Sequence, residues 1–299
     1  MLTEKKKAQT ARIRELLDLT GAEMAAHYYQ RPEIKAAADY VGGSRDIFRK
    51  ISQTRALTVV LCGVSFMAET IARLRPELNV LVPRRDASCP YSETVTPRTI
   101  WEIRKNDPRA LIIADAKAPG EVKDLADGLM PIDLEAGYWN NKAEPGRNLY
   151  VLPGPAPSRA EGGPAGVCQV HWQLEAAQLA QAQREHPRAR TAVNVLCQDE
   201  VKAMADQVGD SKTIWEFCRD SPAGEFIIAA EAGLTESLAQ AFPHKIFHDP
   251  GTEIFCPNMK LTNLRDIVAV LESFQLRQAL VTHFGRRSMG DRLSHDLSG

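Results

Sequence analysis

The sequence predicts an α/β protein of three similar units, each a parallel sheet between layers of helix, set about a pseudo-threefold axis. Three observations predict it. Short apolar runs alternate with helical patterns, one phrase recurs twice more along the chain, and each unit ends in a cysteine within a Pro- or Gly-flanked loop.

The bulk numbers permit this. A chain of 299 residues can hold one large core or several small ones. With 44% hydrophobic and 25% charged residues it reads as globular. A formal net charge of -1 argues against nucleic acid, whose binders carry a basic surface. No run of about eighteen apolar residues offers a membrane span. The start, "MLTEKKKAQTARIRELLDLTG", lacks the apolar core of a secretion signal, and Ile13, Leu16 and Leu17 have the spacing of an amphipathic helix. The expectation is a soluble, cytoplasmic protein. Its six cysteines then read as buried thiols, a nucleophile or metal ligands rather than disulfides, and no CxxC pair is present.

The repeat defines the units. "EIKAAADYVGGSRDIF" (33–48) matches "EVKAMADQVGDSKTIW" (200–215) at an offset of 167 (200 − 33), which also carries Cys89-Pro90 onto Cys256-Pro257. "DPRALIIADAKAPGEVKDLAD" (107–127) matches "HPRARTAVNVLCQDEVKAMAD" (186–206) at an offset of 79 (186 − 107). In each copy an apolar run such as "ALIIADA" or "TAVNVL" precedes a turn, and a helix then opens on an acidic residue, Glu33, Glu121 or Glu200. A further apolar run, "TVVLCGV" or "EFIIAAE", follows in the first and third units. Strands alternating with helices imply parallel sheets, whose C-terminal ends bind ligands. The expected division is 1–100, a first unit with its leading helix; 101–184, a shortened second; 185–285, a third; and 286–299, a polar tail.

The registry selects candidate site residues. The first strands close on His27 and Tyr29, on Asp115 and Lys117, and on Asn194 and Leu196. Each pair is two residues apart, so both members share one strand face toward the axis. Cys89 and Cys256 each lie 56 residues past the anchoring glutamate (89 − 33, 256 − 200), and Cys168 lies 47 past Glu121 (168 − 121). Three loops about one axis would gather three thiolates. That set suits a soft metal centre; a [4Fe–4S] cluster on three cysteines leaves one iron open as a Lewis acid. Three buried thiols remain the alternative. Cys62, Cys197 and Cys218 have no repeat partners and read as core thiols.

The phrases "AHYYQRPEI", "ADYVGGS", "CGVSFMAET", "CQVHW", "HPRA…EVKAMADQVG" and "CPNMK", with the Cys89 loop, resemble the quinolinate synthase family from about residue 20 to about residue 275. The resemblance implies three α/β domains about a pseudo-threefold axis and a [4Fe–4S] cluster on Cys89, Cys168 and Cys256. It implies the condensation of iminoaspartate with dihydroxyacetone phosphate, with loss of phosphate and water and closure of a pyridine ring. It also implies that the iron without a cysteine holds the substrate. His27 and Tyr29 match the family's His-x-Tyr, Ser44 its carboxylate-binding serine, and His171 its Cys-x-Val-His phrase.

Elsewhere the chain departs from the family. Asp115 and Lys117 replace Tyr-x-Asn, Pro131 and Ile132 replace a Thr-Ser pair, Asn194, Val195 and Leu196 replace His-Pro-Glu, and Asp210 and Ser211 replace Ser-Thr. An acid–base pair is thereby lost. The expected activity is an iron–sulfur lyase or transferase that condenses, dehydrates or cyclises a small carboxylate changed from the family's own. The alternatives are a genuine quinolinate synthase and a non-catalytic paralogue that keeps the cluster as redox sensor or ligand binder. His27, Tyr29 and Lys117 are the expected catalytic residues; Ser44, Asp115, Asn194 and Ser211 are expected to bind substrate. Lys117 has two readings: a desolvated nucleophile, or a charged partner of Asp115 and of a substrate anion. Ser44, after Gly-Gly, reads as an anion cradle or a helix cap.

Overall fold

A computed structural model describes residues 3–130, 147–153, 167–251 and 254–293, with side chains through 278. The chain is α/β, with three sheets whose strands all pair in parallel. The first lobe holds α1 (Glu4–Thr20), β1 (Glu23–His27), α2 (Pro32–Ala37), β2 (Tyr40–Gly42), α3 (Ser44–Gln53), β3 (Thr58–Cys62), α4 (Ser65–Leu74) and β4 (Asn79–Leu81). The second holds α5 (Pro97–Asn106), β5 (Leu111–Ala114), α6 (Gly120–Leu125), β6 (Gly128–Leu129) and β7 (Leu149–Leu152). The third follows a single turn, α7 (Gln169–Trp172). It holds α8 (Ala176–Glu185), β8 (Arg190–Asn194), α9 (Asp199–Lys202), β9 (Gln207–Gly209), α10 (Ser211–Asp220), β10 (Glu225–Ala229), α11 (Ala232–Ala241) and β11 (Ile246–His248). A last helix, α12 (Leu264–Leu293), packs back on α1.

Strand orders repeat as the offsets require. They are β2-β1-β3-β4 in the first lobe, β9-β8-β10-β11 in the third and β6-β5-β7 in the second. Adding 167 to the bounds of each first-lobe strand gives the bounds of its third-lobe counterpart, 23–27 becoming 190–194 and 79–81 becoming 246–248. The inner strands read as unbroken apolar runs because both faces are covered, and Val59, Val60 and Leu61 of β3 are buried like Phe226, Ile227 and Ile228 of β10.

A carboxylate braces each copy. Asp39, Asp127 and Asp206 accept hydrogen bonds from the backbone N–H groups of Met24, Ile112 and Thr191 at 2.7, 2.8 and 2.7 Å. This accounts for the repeated Ala-Asp of the phrase, since an unpaired buried N–H is costly.

Helices α5 and α8 pack with the sheets that follow them: Ile100 shares a buried apolar cluster with Ile112 of β5, and Leu179 one with Val193 of β8. The boundaries expected at 101 and 185 therefore fall within these helices. The second lobe has a third strand, β7, that the sequence reading lacked. Helix α12 runs past residue 286, where composition suggested a tail, and Pro131 and Ile132 lie outside the described residues.

The lobes dock head to tail through the lysine of the repeat. Lys35 Nζ donates to Gly233 O at 3.0 Å and Ser237 Oγ at 2.8 Å on α11. Lys123 Nζ donates to Phe66 O at 3.5 Å and Thr70 Oγ1 at 2.6 Å on α4. The acceptors correspond, since 233 − 66 and 237 − 70 both equal 167. One heterologous contact is thus used twice in the same sense, which turns the lobes around a common centre. The third copy, Lys202, pairs with Asp199 of its own helix at 2.6 Å.

Candidate active site

The C-terminal ends of the three sheets open on one cavity of about 860 Å³. Its lining includes His27, Tyr29, Ser44 and Cys89 from the first lobe, and Asp115 and Lys117 from the second. Cys168 and His171 line it from the segment after the second lobe, and Asn194, Leu196, Ser211 and Cys256 from the third. All the candidate residues named from the sequence meet there. The three unmatched thiols do not: Cys62, Cys197 and Cys218 are buried in the cores, and burial pushes the last two up to about 12.

The strand ends share one local device. His27 Nδ1 accepts from the N–H of Tyr29 at 3.2 Å, Asp115 Oδ1 from Lys117 at 2.8 Å and Asn194 Oδ1 from Leu196 at 3.0 Å. Each closes the turn that leaves its strand with a side-chain acceptor. The bond assigns the His27 tautomer: with Nδ1 accepting, the proton sits on Nε2. Burial, then the charges of Lys260 and Lys35, lower the His27 pKa to about 3, so the ring is neutral at pH 7.

Tyr29 joins the first and third lobes. Its hydroxyl lies 3.1 Å from Ser211 Oγ and accepts from Asn194 Nδ2 at 3.4 Å. Burial holds the phenol well above its ordinary pKa, so it stays protonated. Ser44 and Ser211 are the first residues of α3 and α10, and Gly43 and Asp210 are the caps. The positive ends of both helices therefore face the cavity.

Lys117 Nζ lies 3.2 Å from Asp115 Oδ1. Burial opposes its charge, but the carboxylate of Asp115 prevails, through its charge and its hydrogen bond, and raises the Lys117 pKa. Of the two readings of Lys117, this geometry favours the charged partner over the desolvated nucleophile.

Two ion pairs escaped the sequence reading. Arg45 lies with both Nε and Nη2 2.6 Å from the carboxylate of Asp210, bridging the first and third lobes at the cavity rim. Glu231, fully buried, accepts from Lys260 Nζ at 3.0 Å, from the Gly233 N–H at 2.8 Å and from the Cys256 N–H at 3.3 Å. A glutamate within the apolar run "IIAAEAG" was the signal available for it.

The three thiols share a setting. Backbone N–H groups three residues on, at Ser92, His171 and Met259, face Cys89, Cys168 and Cys256. Burial raises all three pKa values, that of Cys256 to about 11, and the neighbouring thiols raise Cys89 and Cys256 further. Such a set favours neutral thiols until a cation offsets their charge.

The sulfurs are not drawn together as for a single ion. Among the described residues the group of His, Cys, Asp or Glu ligand atoms within 4.8 Å of one another is His186, Glu225 and His248. A zinc tripod with Zn–S of about 2.3 Å needs its sulfurs closer than that. His171 Nδ1 lies 3.3 Å from Cys168 Sγ, while its buried Nε2 has no partner among the described residues. Three thiols and an imidazole nitrogen without a partner among the described residues thus line one cavity, a donor set of the kind soft metal centres use.

Comparison with known proteins accords with this geometry. The family described as "Quinolinate synthetase A protein" matches residues 11–130 and 162–285. The quinolinate synthase of Geobacter metallireducens is 33% identical over 265 residues, covering 87% of each chain. That of Thermodesulfovibrio yellowstonii is 31% identical over 88% of this chain and 90% of its own. That of Desulforudis audaxviator is 30% identical over 93% of this chain and 94% of its own.

Proposed function

The chain belongs to the quinolinate synthase family, and on that premise we propose that it is an iron–sulfur enzyme acting on a small carboxylate other than the family's usual pair of substrates. The observation that carries the proposal is the Asp115–Lys117 ion pair on the second-lobe wall, facing a third-lobe wall of Asn194 and Leu196.

Cys89, Cys168 and Cys256 would hold a [4Fe–4S] cluster. Bound there on three cysteines, it supplies a Lewis-acid iron for a substrate oxygen.

The protein's own groups do the rest. Lys117, kept charged by Asp115, binds a carboxylate or phosphate. The starts of α3 and α10, with Ser44 and Ser211, take a second anionic group. Neutral His27 donates from Nε2 and fixes a substrate oxygen. Tyr29, protonated and held by Ser211 and Asn194, donates a hydrogen bond or a proton. Among the described residues no carboxyl–imidazole acid–base pair stands on the third-lobe wall, so proton transfer falls to the first lobe.

Anaerobic incubation of cluster-loaded protein with iminoaspartate and dihydroxyacetone phosphate, beside a panel of other small carboxylates, tests this. Turnover of a panel member, with little quinolinate, is expected. Efficient quinolinate formation would make the chain a true synthase with a rebuilt wall. Binding without turnover across the panel would favour a ligand-binding paralogue, the reading that Leu196 in place of a carboxyl supports.

A further inference from the structure

A second cluster of ligating side chains lies in the third lobe, away from the cavity. His186 caps the C-terminal end of α8, Glu225 opens β10 and His248 closes β11. Alternation along β10 puts Glu225 on the same face as Ile227 and Ala229, which pack in one cluster with Leu179 and Ala182 of α8. Parallel register sets His248 beside Ile227, on that same face. Three polar groups thus gather under the end of α8, at the start of the central strand β10. The reaction cavity lies at the opposite, C-terminal end of the sheet.

Their geometry is close. Glu225 Oε1 lies 3.0 Å from His248 Nε2 and 3.4 Å from His186 Nδ1. The imidazole rings stack with centroids 3.5 Å apart and planes 14° from parallel.

The fold does not require them. The 167-residue offset maps His186, Glu225 and His248 onto Leu19, Thr58 and Leu81, and the first lobe forms the same sheet with those residues. The third lobe has therefore placed two imidazoles and a carboxylate where its twin has two leucines and a threonine.

We propose that His186, Glu225 and His248 form a site for a divalent transition ion of the zinc class, separate from the cysteine centre. Two imidazole nitrogens and one carboxylate oxygen suit such an ion, with water completing the shell. For both nitrogens to address one ion the stacked rings must fan apart. Both histidines are partly exposed and sit at the ends of their elements, so this motion leaves the apolar face of the sheet intact. The bound ion ties α8, β10 and β11 together.

The test uses untagged protein carrying its cysteine-held centre, under anaerobic conditions. Calorimetric titration with Zn²⁺ is expected to show one further ion per chain, and titration with Co²⁺ visible d–d bands without a thiolate charge-transfer band. Glu225→Gln and His248→Ala are each expected to weaken binding at least about tenfold. The triple variant H186L/E225T/H248L copies the first lobe, so it is expected to abolish binding while the protein without added Zn²⁺ unfolds at an unchanged temperature. No further Zn²⁺ uptake, uptake unmoved by H186L/E225T/H248L, or a thiolate band on Co²⁺ binding would each overturn the proposal.

Discussion

The first and third lobes share a frame and differ in their chemistry. Strand for strand they are superposable in sequence at one offset, and each delivers a cysteine to the cavity at the same register, Cys89 and Cys256. At the ends of β1 and β8, however, His27 and Tyr29 face Asn194 and Leu196. The common bond explains how both can be true. Histidine, aspartate and asparagine each supply the acceptor that the turn needs, so the backbone is satisfied by any of the three. Beyond that acceptor atom the side chain is free to change its chemistry. The wall of the cavity can therefore be rewritten while the frame and the cysteine loops stay fixed.

The cysteines give the largest expected effect. Cys89→Ser and Cys256→Ser should each abolish the bound cluster, read as iron and sulfide content and visible absorption, whereas Cys218→Ser should keep it. Retention of a full cluster by Cys256→Ser would break the equivalence of the two lobes where it matters most. The next effect separates the structural and chemical duties of one residue. His27→Asn keeps an acceptor for the Tyr29 N–H but removes the Nε2 donor. Turnover of the small carboxylate should fall about 10²- to 10³-fold with folding little changed. His27→Leu should lose the same turnover and in addition about 1–3 kcal/mol of stability, because the buried Tyr29 N–H is left unpaired. Equal stability of the two variants in a denaturant titration would show that the acceptor carries no structural weight.

Much of this was legible because the repeat is a physical record. Gap-free offsets fix strand register, and register fixes which residues reach the axis, so His27, Asp115 and Asn194 could be placed together before any coordinates. Legibility fails where symmetry is broken. Glu231 corresponds to Val64 and Lys260 to Glu93, so no repeat marks their buried pair. Arg45 and Asp210 meet across 165 residues (210 − 45), a distance that no local pattern encodes. Strand β7 was missed because the long segment before it slips the offset. The choice between the two readings of Lys117 depends on a 3.2 Å separation from Asp115, which spacing along a strand cannot supply.

The smallest effects sharpen the comparison at the interfaces. Lys35 docks the first lobe on the third, and Lys123 docks the second on the first, through matching acceptors. Lys35→Met and Lys123→Met should each cost about 1–3 kcal/mol near neutral pH, since buried acceptors lose their donor.

The two contacts should part company as pH rises. Burial lowers both lysines and a nearby acid opposes it in each case, but Lys35 is hydrogen-bonded to Glu236, whereas Lys123 has the charge of Glu69, which Arg73 counters, and falls to about 8. Between about 8 and the ordinary value of 10.5, the unfolded chain binds a proton at residue 123 that the folded chain does not. Stability from this group therefore rises with pH across that window and is at its lowest below it. The deficit of Lys123→Met relative to the unsubstituted protein should grow from pH 8 to pH 10, and that of Lys35→Met should grow less, as read by denaturant titrations at matched ionic strength. A Lys123→Met deficit that stays flat or shrinks over that range would mean that this ammonium keeps its charge at the interface, and the two docking contacts would then be electrostatically alike.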